Sequence, residues 1–267
     1  MSRVPLWTAI IPTYGEIGVT LTAECLQSLR HTTERHEIIV VDDGSGDKVQ
    51  EKLASLCQQH SAKLVACSDN KGFASACNEG VKLSNGTVVI LTNNDTLQVN
   101  KTLDDLANFV LFSGAATVGC KLLYEDFTVQ HGGVHYIPGK PNGYWDHVGR
   151  FAPRWEASVC RIRRSLCTGA LLAISRNTLN TIGLLDERYG MAVEDIDFQM
   201  RCLETGLATY YCGLIEAFHL EGKTRGRTPN QKRRHKEWLK AEGDGMKLFF
   251  ERWHGVEWEQ FATGHLS

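Results

Sequence analysis

Apolar and polar positions alternate along the first half of the chain in two distinct rhythms. Short continuous apolar runs, Leu6–Pro12, Glu37–Val41, Lys63–Cys67, Thr87–Thr92 and Val118–Leu122, have the length and β-branched content of buried strands. Between them, Leu21, Cys25, Leu26 and Leu29 recur at helical spacing, as do Val49, Leu53 and Leu56. Ala74–Leu83 and Leu103–Leu111 complete the helical series. Strands without alternation, separated by amphipathic helices, predict an α/β fold with a mostly parallel central sheet covered on both faces.

The second half is less regular. His131–Trp145, rich in Gly, His and aromatic residues, predicts a loop or hairpin. Leu166–Ser175 reads as a buried strand, Val193–Thr205 as a helix opened by acids, and Tyr210–Cys212 and Ile215–His219 as two short strands. Asn230–Trp253 reads as a helix broken near Gly243 and Gly245. There is no internal repeat and no low-complexity linker. A length of 267 residues suits one large domain with a helical extension at its C-terminal end.

In such sheets ligands bind beyond the carboxyl ends of the strands. The polar clusters Thr13-Tyr14, Asp42-Asp43, Asp69-Asn70 and Asn93-Asn94-Asp95 all fall there. Asp95, just past an apolar strand, could reach a divalent metal carrying a diphosphate, since Mg²⁺ and Mn²⁺ favour oxygen ligands; the same residues also make an ordinary turn. Asp43 could accept from a base N–H or a ribose hydroxyl, or simply end a strand. Glu194, Asp195 and Asp197 crowd a helix start. Dipole capping accounts for such acids, and mutual repulsion could also poise one of them as a general base.

Composition narrows the classes. The apolar fraction of 42% excludes disorder, and no apolar run is long enough for a membrane helix. Met1–Pro12 lacks the features of a signal peptide, so the expected location is the cytoplasm. Nine cysteines in odd number, without a C-x-x-C pair, read as reduced thiols rather than a disulfide framework or zinc site. The formal net charge is −2, yet Lys223–Lys240 holds eight Lys/Arg against one acid. That run is either a solvated helix face or a contact for an anionic acceptor, with Lys223, Arg225, Arg233 and Arg234 as candidate phosphate contacts. No G-x-G-x-x-G, Walker loop, G-x-S-x-G or H-E-x-x-H is present, which excludes the commonest dehydrogenase, P-loop and hydrolase signatures.

Taken in order, the clusters resemble the inverting family-two glycosyltransferases with the GT-A fold, in particular a rhamnosyltransferase-like subgroup. The resemblance runs through Ile10-Ile11-Pro12-Thr13-Tyr14, Val40-Val41-Asp42-Asp43-Gly44-Ser45, Asn70-Lys71-Gly72-Phe73-Ala74 and Leu91-Thr92-Asn93-Asn94-Asp95. It continues through Thr168-Gly169-Ala170, Gly183-Leu184-Leu185-Asp186-Glu187, Glu194-Asp195-Ile196-Asp197 and His219, spanning roughly residues 6–225.

The resemblance implies a GT-A catalytic domain over 1–225, divided into a nucleotide-sugar half at 1–122 and an acceptor half at 123–225, with a basic helical extension at 226–267. It implies that Pro12, Tyr14 and Glu16 line the nucleotide pocket and that Asp43 meets the base. Asn70, Gly72, Asn93, Asn94 and Gly169 would complete the donor site. Asp95 and His219 would be ligands of Mn²⁺ or Mg²⁺, and Asp195, beside Glu194, the general base. Asn93 stands where the family's D-x-D has its first acid. The implied partners are a UDP- or dTDP-linked sugar and, as acceptor, a surface polysaccharide or lipid-linked glycan. Hydroxymethylated bases in DNA are the alternative acceptor, and a non-catalytic nucleotide-sugar-binding protein is the alternative of another class.

Overall fold

The computed structural model describes residues 4–137, 144–189, 192–221, 236–254 and 256. The chain opens with β1 (Trp7–Thr13), α1 (Gly15–Ser28), β2 (His36–Asp42), α2 (Asp47–Gln59), β3 (Lys63–Ala66), α3 (Phe73–Leu83) and β4 (Val88–Thr92). It continues with β5 (Thr96–Gln98), α4 (Thr102–Ser113), β6 (Thr117–Leu123), β7 (Val129–His131), and the hairpin β8 (Val134–Ile137) and β9 (Tyr144–His147). The last elements are β10 (Ile162–Arg164), β11 (Leu171–Ser175), α5 (Arg176–Ile182), α6 (Glu194–Glu204), β12 (Thr209–His219) and α7 (Lys236–Arg252).

The central sheet has the order β10-β12-β6-β11-β4-β1-β2-β3, with β5 on β12 and β7 on β6. The block β4-β1-β2-β3 is parallel throughout, as the apolar runs predict. Beyond it the sheet is mixed: β11 lies antiparallel between β4 and β6, while β6 and β12 pair in parallel. Two reversals restore direction, so the carboxyl ends of β2, β4 and β12 share one rim.

Alternate side chains on the strands feed two cores. Trp7, Ala9 and Ile11 join α1, α2 and α4 residues such as Leu26, Leu53 and Leu106 on one face. Ile10, Val41 and Leu91 join Cys77 of α3 and Phe198 of α6 on the other. A third cluster places Phe249 and Trp253 against Tyr189, Ile196 and Met200, seating α7 on α6. All nine cysteines are free thiols. Among the described residues, no helix is long and apolar enough to cross a membrane.

Three sequence expectations need correction. Leu166–Ser175 is not one strand; only Leu171–Ser175 is, because the preceding residues turn to form part of the rim. The two short strands at 210–219 are a single β12, interrupted by a register shift between Cys212 and Glu216. The glycines at 243 and 245 do not break α7. A Cβ on Gly245 would lie 2.5 Å from the Tyr189 carbonyl oxygen, so this glycine allows close packing rather than ending the helix.

Candidate active site

Each sequence-predicted cluster is a strand end or helix start held by hydrogen bonds to the next. β2 ends in the turn Asp42–Gly46. The Asp43 N–H donates to the Thr13 carbonyl at 3.0 Å, tying this turn to the end of β1. The Asp43 carboxylate accepts from the Lys71 and Gly72 N–H groups at 2.9 and 2.8 Å. It therefore organises the loop opening α3, a role the sequence did not announce. Burial raises its pKa above the ordinary 3.8, against the lowering effect of those two N–H donors.

Asp42 caps its own turn. It accepts from the Ser45 N–H and hydroxyl and from Gln50 Nε2, while Ser45 Oγ accepts from the Gly15 N–H. Tyr14 and Asn70 are exposed at this mouth and Pro12 is half-buried. Glu16 pairs with the exposed Lys52 at 2.7 Å.

The turn after β4 is the centre of the rim. Asn94 Nδ2 donates to Thr13 Oγ1 at 3.0 Å, and the Asn93 N–H donates to the Ala170 carbonyl at 2.9 Å. Asp95 is buried at 5% exposure, and its Oδ1 lies 3.1 Å from Nε2 of His219 at the end of β12. Asn93 Nδ2 lies 3.3 Å from the same Nε2. The Asn93 Oδ1 is buried and accepts no hydrogen bond among the described residues.

The ring of His219 is fixed from behind. Gln130 Nε2 faces two acceptors, the His219 carbonyl at 3.3 Å and Glu221 Oε2 at 3.2 Å, which sets the orientation of its amide. Gln130 Oε1 then meets His219 Nδ1 at 2.8 Å, so Nδ1 carries a proton, and Nε2 faces the Asp95 carboxylate and the Asn93 side chain.

The 168–170 turn joins this centre to α6. Gly169 N–H donates to Asp195 Oδ2 at 2.5 Å, and the Ile196 N–H donates to Asp195 Oδ1 at 2.7 Å. A Cβ on Gly169 would sit 3.1 Å from Asp195 Cβ, so glycine lets the turn reach the carboxylate. Asp195 opens α6 behind Val193, whose φ of 61° is a left-handed conformation strained for a β-branched residue. Glu194 is buried beside it.

Asp197, the third acid of the cluster, is fully buried and faces away from the rim. It accepts from Tyr189 Oη at 2.8 Å, Arg201 Nε at 2.9 Å and Trp253 Nε1 at 3.1 Å. Three further residues were not found from sequence. Gln130 gave no signal because its role depends on sheet pairing, and the His131–His147 pair joins separate strands with 2.6 Å between the two Nδ1 atoms.

The rim thus brings together Asp43, Asn93, Asn94, Asp95, Gly169, Asp195 and His219. Lys223, Arg225, Arg233 and Arg234 lie outside the described residues. The two surface hollows of about 560 and 510 Å³ are lined by residues of the 35–38 and 97–100 regions and contain none of these side chains.

Residues 8–161 match the family model described as glycosyl transferase family 2. The chain is 27% identical over 262 residues to an uncharacterised protein, y4gI, of Sinorhizobium fredii; the match takes in 92% of this chain but only 28% of that protein. It is 23% identical over 193 residues to the dTDP-rhamnosyl transferase RfbF of Shigella flexneri, covering 69% of this chain and 60% of the relative. Similarity to an N-acetylglucosaminyl-diphospho-decaprenol L-rhamnosyltransferase of Mycobacterium tuberculosis is 24% over 229 residues, covering 76% of this chain and 73% of that one. Among solved structures, a mannosyltransferase of Pyrobaculum calidifontis in complex with GDP-Man and Mn²⁺ superposes with a TM-score of 0.61 at 17% identity, over 96% of this chain and 77% of that one. GalNAc-T7 with UDP, GalNAc and Mn²⁺ superposes at 0.66 and 16% identity, over 99% of this chain and 58% of that one.

Proposed function

The chain belongs to glycosyl transferase family 2 and has the GT-A fold, and from that premise we propose that it moves a sugar from a nucleoside-diphosphate sugar to an acceptor hydroxyl with inversion. The observation that carries this reading is the unbroken run of hydrogen bonds along one rim. It links Asp43 to Thr13, Thr13 to Asn94, Asn93 to Ala170 and Gly169 to Asp195, with His219 against Asp95.

In this reading Asp195 takes the proton of the acceptor hydroxyl. The oxygen attacks the anomeric carbon from the face opposite the nucleotide, the carbon–oxygen bond to the diphosphate breaks, and the nucleoside diphosphate leaves. No covalent enzyme intermediate forms. Gly169 N–H and the start of α6 hold the carboxylate in place, and Glu194 lies buried beside it. Pro12, Tyr14, Glu16, Asn70 and Gly72 would border the nucleotide, with the turn held by Asp43 as their support.

The residues fit a divalent cation. Asp95 Oδ1 and His219 Nε2 face each other, and Asn93 Oδ1, buried without a hydrogen-bond partner among the described residues, adds a third donor of the kind Mn²⁺ accepts. Asp95 and His219 would hold it, with Asn93 beside them. A bound cation would neutralise charge growing on the departing diphosphate.

The acceptor proposed is a surface polysaccharide or lipid-linked glycan, and the donor a UDP- or dTDP-linked sugar. A relative that uses a dTDP-linked deoxyhexose and one that acts on a diphospho-decaprenol glycan support this choice.

The test is incubation with UDP- and dTDP-linked hexoses and deoxyhexoses, Mn²⁺ and a lipid-diphosphate-linked N-acetylglucosamine. Chromatography follows nucleoside diphosphate release, and NMR of the product reads its anomeric configuration. The expected outcome is release that depends on Asp195, with an inverted linkage. Retention of configuration would overturn the mechanism, and binding of donor without release or transfer would leave a binding protein instead.

A further inference from the structure

β7 pairs with β6 through Leu122–His131 and Leu123–Val129, so Gln130 is the extra residue of a β-bulge. Bulges of this kind redirect a side chain, and they recur beside active sites. Here the redirected side chain is 4% exposed and lies against His219 on two sides. Its carbonyl oxygen meets Nδ1 at 2.8 Å and its amide nitrogen meets the His219 main-chain oxygen at 3.3 Å. The same nitrogen meets Glu221 Oε2 at 3.2 Å.

Glu221 is itself held. Tyr124 Oη donates to its Oε2 at 3.1 Å, and Arg150 pairs with it at 3.3 Å. With two acceptors facing the Gln130 NH₂, the amide has one satisfied orientation, and only an Nδ1–H of His219 can meet its oxygen. A ring with no proton on Nδ1 would set a lone pair against that carbonyl oxygen.

We propose that Gln130 is a positioning residue that holds the His219 ring through Nδ1–H and so presents Nε2, beside Asp95, as the nitrogen that ligates a divalent cation. The inference rests on the metal reading given under Proposed function. It extends that reading from the ligands to the residue behind them. An outer partner that donates to, or accepts from, the distal nitrogen of a ligating histidine fixes ring and tautomer together, and its loss typically costs about 10–100-fold in metal affinity.

The experiment uses the full chain with dTDP or UDP and Mn²⁺, free Mn²⁺ being counted by electron paramagnetic resonance. Gln130→Met keeps length and apolar bulk but offers no acceptor, and is expected to weaken Mn²⁺ binding by about 10–100-fold. Gln130→Glu combined with Glu221→Gln keeps an oxygen for Nδ1–H and moves the amide donor to position 221, and is expected to retain most of the affinity that Gln130→Met loses. Long-range ¹⁵N–¹H spectra of the metal-free wild type should show a proton on His219 Nδ1, and those of Gln130→Met a fraction of rings without it.

Wild-type Mn²⁺ affinity in Gln130→Met would overturn the proposal, as would equal loss in both variants. If Gln130→Met fails to fold, the wild-type spectrum decides alone: a His219 ring with no proton on Nδ1 overturns it. Wild-type protein that binds no Mn²⁺ in the presence of nucleotide would instead overturn the metal reading, an outcome separate from the tautomer spectrum.

Discussion

Asp95 Oδ1 and His219 Nε2 lie 3.1 Å apart, two side chains able to ligate a metal brought together from opposite halves of the chain. A divalent cation can be faced by both from these positions. Mn²⁺ with dTDP is therefore expected to raise the unfolding temperature, by the equivalent of about 2.7 kcal/mol at a hundredfold excess over Kd. Chelation should reverse the gain, and Asp95→Asn should abolish it. Differential scanning fluorimetry checks this, and an equal shift in Asp95→Asn would place the ion elsewhere.

Asp195 is held by the Gly169 N–H at 2.5 Å, and an amide oxygen could accept the same bond. Asp195→Asn should therefore fold normally and keep its donor KM while kcat falls by about 10²–10⁴, the usual contribution of a general base. Gly169→Ala tests position rather than basicity. The new Cβ, 3.1 Å from Asp195 Cβ and 3.3 Å from its Oδ2, must push the side chain aside by a few tenths of an ångström. A misplacement on the order of 1 Å can cost about 10² in rate, so this smaller shift is expected to cost less than that. Steady-state kinetics with each variant, compared with wild type, separate the two effects.

Where the chain folds by local rules, its sequence was readable. The runs Leu6–Pro12, Glu37–Val41 and Thr87–Thr92 became β1, β2 and β4, because a strand buried on both faces must be continuously apolar. Asp43, Asp95, Asp195 and His219 could be placed on one rim from the same logic plus a resemblance. What escaped was set by pairing between distant segments. The reversal at β11 leaves no local mark, since an antiparallel and a parallel buried strand have the same composition. Gln130 is aimed by a bulge, and Asp197 looked like its neighbours until α7 was seen to close over it. Gly245 resembles a helix end in sequence because a glycine needed for close approach looks the same as one that stops a helix, whereas at Gly243 a side chain would meet nothing within 4 Å.

Asp197 and Trp253 give the strongest stability prediction. One buried carboxylate collects Tyr189, Arg201 and Trp253, and Arg252 lies 3.3 Å away. Removing it leaves a guanidinium and two buried donors without their partner. Asp197→Ala is therefore expected to cost about 3–5 kcal/mol. Trp253→Phe removes one donor and keeps most of the ring, for a cost of roughly 1.5–3 kcal/mol. Urea denaturation measures both; a cost below that of an exposed substitution in Asp197→Ala would show that α7 does not depend on this anchor.

The last prediction concerns His131 and His147, whose Nδ1 atoms meet at 2.6 Å so that only one proton fits between them. His131 is fully buried, and the Thr168 N–H points at its Nε2 from 3.5 Å, which leaves that nitrogen as an acceptor. Burial first, then the neighbouring His147 and Arg163, hold the His131 pKa well below the ordinary 6.5; burial and Arg150 lower that of His147 as well. Both rings are thus neutral in the folded protein where the unfolded chain already binds protons. For groups whose folded pKa is depressed in this way, stability rises with pH up to the unfolded value and is lost as pH falls below it. Below about pH 6.5 His131 contributes a slope approaching 1.36 kcal/mol per pH unit and His147 adds a further slope of the same sign, whereas above about pH 7.5 neither contributes. His131→Gln removes one of these protons from the unfolded state and should lower the slope accordingly. Urea denaturation at intervals from pH 7.5 to 5 tests this. A wild-type stability flat across that range, or a slope unchanged in His131→Gln, would mean that the pair takes up its protons without unfolding.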